Sequence, residues 1–212
     1  MKWLGCLGVI VVLALVVGGV AVGKYNTLVG LGQGVDAQWA QVENQYQRRA
    51  DLVPNLVATV KGAADFEKST LEAVVNARAS VGQVNVDPKN LPNDPAAMAK
   101  YQQAQDALSG ALSRLLVVVE RYPELKANAN FRDLQTQLEG TENRVAVERM
   151  RFNEKAQAYN TERLRFPTVI FANLLGMKEK AYFRSQPGAE NAPKVDFNFG
   201  GSPAPAPAAS PR

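Results

Sequence analysis

From Trp3 to Gly23 the chain runs 21 residues without a charge, bounded by Lys2 and Lys24. An α-helix of that length covers about 31 Å, close to the hydrocarbon thickness of a bilayer. Twelve of these residues are Leu, Ile or Val and five are Gly. The branched apolar residues favour insertion by roughly 0.3–0.6 kcal/mol each, about 4–7 kcal/mol in sum, which outweighs the glycines. Residues 1–24 are therefore expected to form a transmembrane anchor, with the lipid bilayer as the partner of residues 3–23. Two rival readings are weaker. A lipoprotein signal at Leu4-Gly5-Cys6 leaves only Met1, Lys2 and Trp3 ahead of the cysteine, so Cys6 reads as a small lipid-buried hydrophobe. A cleaved signal peptide ending at Gly19-Val20-Ala21 normally has a shorter apolar run, about 7–15 residues. Orientation is not decided by charge, because Lys2 and the terminal amine oppose Lys24, Arg48 and Arg49.

Beyond the anchor the apolar pattern becomes helical. Leu28, Leu31, Val35, Trp39, Val42, Tyr46, Val53, Leu56 and Val60 recur at steps of three and four, with Arg49 at the missing step. This is a heptad-like seam, and it predicts nearly continuous helix from Tyr25 to about Ser80, kinked near Pro54 or Gly62. Val81 to Asp94, with Pro88 and Pro92, reads as a loop. Asp94 suits an N-cap and Pro95 the first position of a second helix ending at Tyr122-Pro123. A third helix follows on the ladder Phe131, Leu134, Leu138, Val145, Phe152 and Tyr159, with Thr141, Glu148 and Lys155 at its intervening steps. Phe166-Pro167 ends it, and Val169 to Leu175 predicts a brief apolar helix that packs on the bundle, or else touches the membrane interface.

The expected fold class is all-α: an N-terminal transmembrane helix, then an elongated antiparallel bundle over residues 25–183 with three long helices and a short fourth. Residues 184–212 form a Pro/Ala-rich tail whose composition cannot bury a core, so disorder is expected there. Within it, Lys194 to Phe199 alternates like a short strand, although a sticky remnant of the tail is the plainer account.

Composition removes most chemistry. The 212 residues include no histidine and one cysteine, which excludes intramolecular disulfides, Cys/His zinc sites and His-dependent nucleophilic catalysis. No metal and no cofactor are expected, and no enzymatic activity. The net charge of +4 is too small for a dedicated nucleic-acid binder, so nucleic acid is not an expected partner. Two charged clusters remain as candidate interaction or register residues. In the first, Arg48, Arg49 and Lys61 have the donors to hold oxyanions, yet Arg49 lies on the apolar seam and is better read as pairing with Glu148 of the third helix to set register. In the second, Glu142, Asn143, Glu148 and Arg149 lie on one helix, where a solvated face accounts for most of them.

These residues fall in a specific order. Tyr25-Asn26-Thr27-Leu28-Val29, Val35 with Trp39, Arg48 to Gly62, Ala77-Arg78, and Glu120-Arg121-Tyr122-Pro123-Glu124-Leu125-Lys126-Ala127 come first. Phe131, Leu134, Leu138, Glu142-Asn143, Arg149, Phe152-Asn153, Tyr159-Asn160, Phe166-Pro167, Gly176 and Tyr182-Phe183 follow. In order and spacing the chain resembles the LemA family over nearly all of residues 25–199. The resemblance implies a single-pass bundle protein of the bacterial inner membrane, with a short N-terminus outside, the bundle in the cytoplasm and no catalytic residues to carry over. A similar protein of magnetosome-forming bacteria is linked to membrane shaping. Two functions are thus expected to compete: a membrane-anchored scaffold or adaptor, acting by self-association or through an unknown protein partner, and direct membrane remodelling or lipid binding.

Overall fold

The computed structural model describes residues 2–62, 66–84 and 87–185. Expectations for the Cys6 side chain, and for the tail beyond Ser185 with its Lys194–Phe199 alternation, fall outside them.

The first helix, α1 (Lys2–Lys61), runs 60 residues from the apolar stretch into the bundle without interruption. From Leu7 to Val20 every side chain is exposed to the surroundings, and α1 is long and apolar enough to cross a membrane. Farther along, the seam faces inward as the periodicity requires: Leu28, Val35, Trp39, Val42, Tyr46, Val53, Leu56 and Val60 are buried, and Arg49 with them. Pro54 lies inside α1 on its exposed side and does not end the helix. The predicted continuity to Ser80 is corrected here. Helix α1 stops at Lys61, and α2 (Lys68–Gln83) begins a separate element that packs mainly on α3 (Pro95–Val119). The break falls at Gly62, the residue type least costly at a helix end.

Between α2 and α3 a 3-10 turn spans Pro88–Asn93. Asp94 then caps α3 as expected, its carboxylate accepting from the backbone N–H groups of Ala96 and Ala97 at 3.0 Å each. Pro95 occupies the first turn, where its missing donor costs nothing. A short α4 (Pro123–Ala127) buries Leu125, and Asn128 caps α5 (Ala129–Leu164) by accepting from Phe131 N at 3.3 Å. After a turn at Arg165–Pro167 comes α6 (Thr168–Leu174). Gly176, at φ 66°, reverses the chain in the left-handed region where glycine has no Cβ penalty. Residues 177–185 then return along the bundle as an extended segment.

Helices α1 and α5 are the antiparallel spine. Lys24 meets Glu162, Gln38 meets Glu148 and Arg49 meets Glu142, so the C-terminus of α5 lies beside the end of the apolar stretch. The core divides in two. Near the apolar stretch it is aromatic: Trp39 packs edge-on against Tyr101 and Phe152 and stacks on Phe183 with centroids 6.0 Å apart. At the far end it is aliphatic, around Val53, Leu56, Val60, Leu108, Leu112, Leu115 and Val119, with Phe131 and Leu138. On α5 the buried stripe departs from the expected ladder at one step: Lys155 is exposed and Ala156 buried, while Phe152 and Tyr159 on either side keep their places. A helix with 3.6 residues per turn drifts against a strict 3.5-residue repeat, and the long polar side chain takes the outer position.

Candidate functional site

Arg49 is fully buried where α1, α3 and α5 meet. One Nη donates to Glu142 Oε1 at 2.8 Å and to the Ser109 hydroxyl, which itself donates to Glu142 Oε2 at 3.1 Å. The other Nη donates to the Gln105 side chain and, at 3.3 Å, to its backbone carbonyl. A guanidinium presents donors in a fixed planar fork, so a buried Arg can satisfy three helices at once. The expected Arg49–Glu148 pair does not form. Glu148 takes Gln38 and Arg151 instead, and Gln38 lies eleven residues, about 16 Å of helix, before Arg49. The antiparallel stagger thus carries Glu148 past Arg49 and brings Glu142 opposite it.

One turn along, Arg149 Nε donates to the Tyr46 hydroxyl at 2.7 Å and Nη2 to Asp106 at 2.9 Å. Tyr46 lies between two guanidinium groups, Arg49 at 5.3 Å and Arg149 at 5.4 Å from its ring centroid. Burial pushes its hydroxyl up to about 12, against the lowering influence of both cations, so it stays protonated at neutral pH. This is a cation–π stack that fixes α1 against α3 and α5. Of the other residues singled out from the sequence, Arg48, Lys61 and Asn143 are exposed. Arg48 and Lys61 lie about 36 and 55 Å along α1 from Lys24.

A second arrangement was not anticipated. Three amide side chains clasp the backbone of the returning segment, each pairing with both polar groups of one residue. Asn160 donates to Lys180 O at 2.9 Å and accepts from Lys180 N at 2.8 Å. Asn153, two turns earlier on α5, does the same for Phe183, at 2.9 Å each way. Gln102 of α3 donates to Arg184 O and accepts from Arg184 N at 3.2 Å. An amide carries one donor face and one acceptor face, so it substitutes for a neighbouring β-strand. Lys180, itself buried, completes the clasp with an ion pair to Asp36 of α1 at 2.9 Å. The sequence signal was two Asn residues seven apart on one α5 face, together with Gln102. Its meaning depends on an extended partner that no periodicity announces.

Beside the clasp a groove of about 1210 Å³ runs between the returning segment and α3, lined by Ala96, Ala99, Gln103, Ala107 and Gly110. At the other end of the spine, Lys24 donates to Glu162 at 2.9 Å and the Thr168 hydroxyl donates to the same carboxylate at 3.2 Å. The Lys24 hydrogen bond and charge, with Thr168 and Arg165, hold this carboxyl below its ordinary range despite the opposing effect of burial. Among the described residues no three Asp, Glu, His or Cys side chains gather as a metal site.

The chain is similar to two groups of known proteins. Magnetosome protein MamQ 1 of Paramagnetospirillum magneticum is 27% identical over 185 residues, covering 79% of this chain and 67% of that protein. Magnetosome protein MamQ of Magnetospirillum gryphiswaldense is 27% identical over 182 residues with the same coverage. Protein LemA of Metamycoplasma hominis is 23% identical over 166 residues, covering 78% of this chain and 71% of that protein. Residues 38–197, from the seam through the clasp, match the LemA family, and the chain belongs to it.

Proposed function

We propose that this protein is a membrane-anchored, non-enzymatic scaffold or adaptor that works by protein–protein association beside the inner membrane. The observation that carries the reading is α1 itself: one unbroken helix is first the apolar stretch and then the seam of the bundle. A rod that shares one helix with its anchor is kept beside the bilayer, and confinement to a membrane raises the local concentration of its surfaces. Gly19, Gly23, Gly30 and Gly34 support self-association. They lie along one flank of α1, and a Cβ placed on any of them meets nothing within 4 Å. Small residues at such spacing let two helices approach closely.

Crosslinking of the full-length protein in cells, followed by pull-down, tests the reading. The expected result is a crosslinked homo-oligomer, weakened by Gly19→Leu with Gly23→Leu, or a reproducible protein partner. A chain that stays monomeric at membrane density and captures no partner overturns it.

Direct lipid binding is the second reading, favoured by the relatives named as magnetosome proteins. Its support has moved. Arg49 is buried and Arg48 and Lys61 stand far from the apolar stretch, so a lipid contact belongs to the opposite end of the rod.

A further inference from the structure

Large apolar side chains are not spread evenly over the bundle. Five of them crowd the α5–α6 turn and α6: Phe166 and Leu174 are each 82% exposed, Leu164 63%, and Ile170 and Leu175 each 55%. Tyr25 and Val29, just past the apolar stretch, are exposed on the same end of the rod. Such a contiguous apolar patch is unfavourable in water and marks a surface that something covers.

The position of the patch says what covers it. Glu162, three residues before the turn, is bonded to Lys24, the charge that ends the apolar stretch. Helix α5 therefore arrives at the level where α1 leaves the bilayer, and α6 lies against α1 there. From Leu7 onward, the first partly covered residue of α1 is Ala21, three residues inside the uncharged run, so the cap of the bundle reaches the level of the apolar stretch. Helix α6 also has one face on the protein and one turned away from it. Thr168 and Ala172 face the protein, while Ile170 and Leu174 face away, and the helix carries no charge. Arg165, its side chain 68% exposed, and the exposed Lys178 flank the patch where anionic headgroups would lie.

We propose that residues 164–175 form a second membrane contact, seating Leu164, Phe166, Ile170, Leu174 and Leu175 in the headgroup and upper acyl layer of the bilayer that α1 crosses. The inference rests on the anchor reading of α1 and goes beyond it, since an anchored rod needs no lipid contact of its own. One crossing helix leaves the rod free to swing and rotate about that helix. A second contact beside it fixes both, so the groove and the clasp face a set direction along the membrane.

The test uses the full chain in vesicles of phosphatidylcholine and phosphatidylglycerol. Cys6, the only cysteine, is replaced by Ser so that single labels can be placed. A polarity-sensitive fluorophore is attached in turn at Ile170→Cys, Leu174→Cys, Leu13→Cys and Val117→Cys. Val117 is 70% exposed on α3, next to residues that pack on Val53 and Val60 at the far end of α1. Lipids carrying a nitroxide near the headgroup should quench labels at 170 and 174, a nitroxide deep in the acyl chain should quench 13, and 117 should respond to neither. If 170 and 174 behave as 117 does while 13 is quenched, the anchor stands and the second contact is refuted. If 13 escapes quenching too, the anchor reading itself fails, and this inference with it. Shielding at 170 and 174 that appears only at high protein-to-lipid ratio, without nitroxide quenching, assigns the patch to a second copy and also overturns the proposal.

Discussion

Arg49 is a charge inside a hydrophobic seam, held there by acceptors from Gln105, Ser109 and Glu142. Arg49→Ala should lower stability by about 3 kcal/mol, because the half-buried Glu142 and the buried Gln105 lose their partner and a cavity opens. Arg49→Met refills the volume and should cost less, while Arg49→Met combined with Glu142→Leu should recover most of the loss. Denaturant unfolding of the three variants checks the order. Glu162 makes a pH prediction. Its carboxyl lies below the ordinary 4.5 in the folded chain, so the folded state binds that proton more weakly than the unfolded state does. The stabilisation is complete above pH 4.5 and is lost as pH falls through the lowered value. Unfolding midpoints followed downward from pH 4.5 should therefore drop more steeply in the native chain than in Glu162→Gln. Both residues stand out in the sequence as charges, but the ladder pointed to Glu148 as the partner of Arg49. Residues on two helices are matched by stagger, and stagger is absent from either helix alone.

Among the elements, the start of α3 was legible to the residue, while its end falls at Val119, ahead of the expected Tyr122-Pro123. Asp94 and Pro95 announce its start through short-range hydrogen bonding, and Asp94→Ala should cost about 1 kcal/mol in thermal or chemical unfolding. The returning segment is the reverse case. Residues 177–185 have no helical period and are held by tertiary contacts, among them the clasp from Asn160, Asn153 and Gln102. Asn153→Ala strips both polar groups of buried Phe183 of their partner and should cost about 2 kcal/mol. Hydrogen exchange should show the loss locally, with the Phe183 amide deprotected before the α5 amides around it. Asn153→Asp keeps an acceptor for Phe183 N but cannot donate to its carbonyl, so it should fall between the native chain and Asn153→Ala.

At the scale of the whole molecule the apolar stretch and the body share a helix but not a core. Residues 7–20 are all exposed, so a chain beginning at Lys24 should unfold cooperatively with stability within about 0.5 kcal/mol of the full protein. Calorimetry or circular dichroism of the two checks it. A large loss would mean that the apolar stretch packs on the body. The sequence by itself determined the apolar stretch, the inward face of α1, the cap of α3 and the helix end at Phe166-Pro167. Each of these is carried by one continuous stretch of chain, where periodicity and capping act. Only the tertiary structure decided that Arg49 meets Glu142, that Asn153 and Asn160 hold an extended segment, and that an exposed apolar cap lies level with the end of the apolar stretch. Those contacts join residues 20 to 138 positions apart, and the docking of rigid helices, rather than any local preference, selects them.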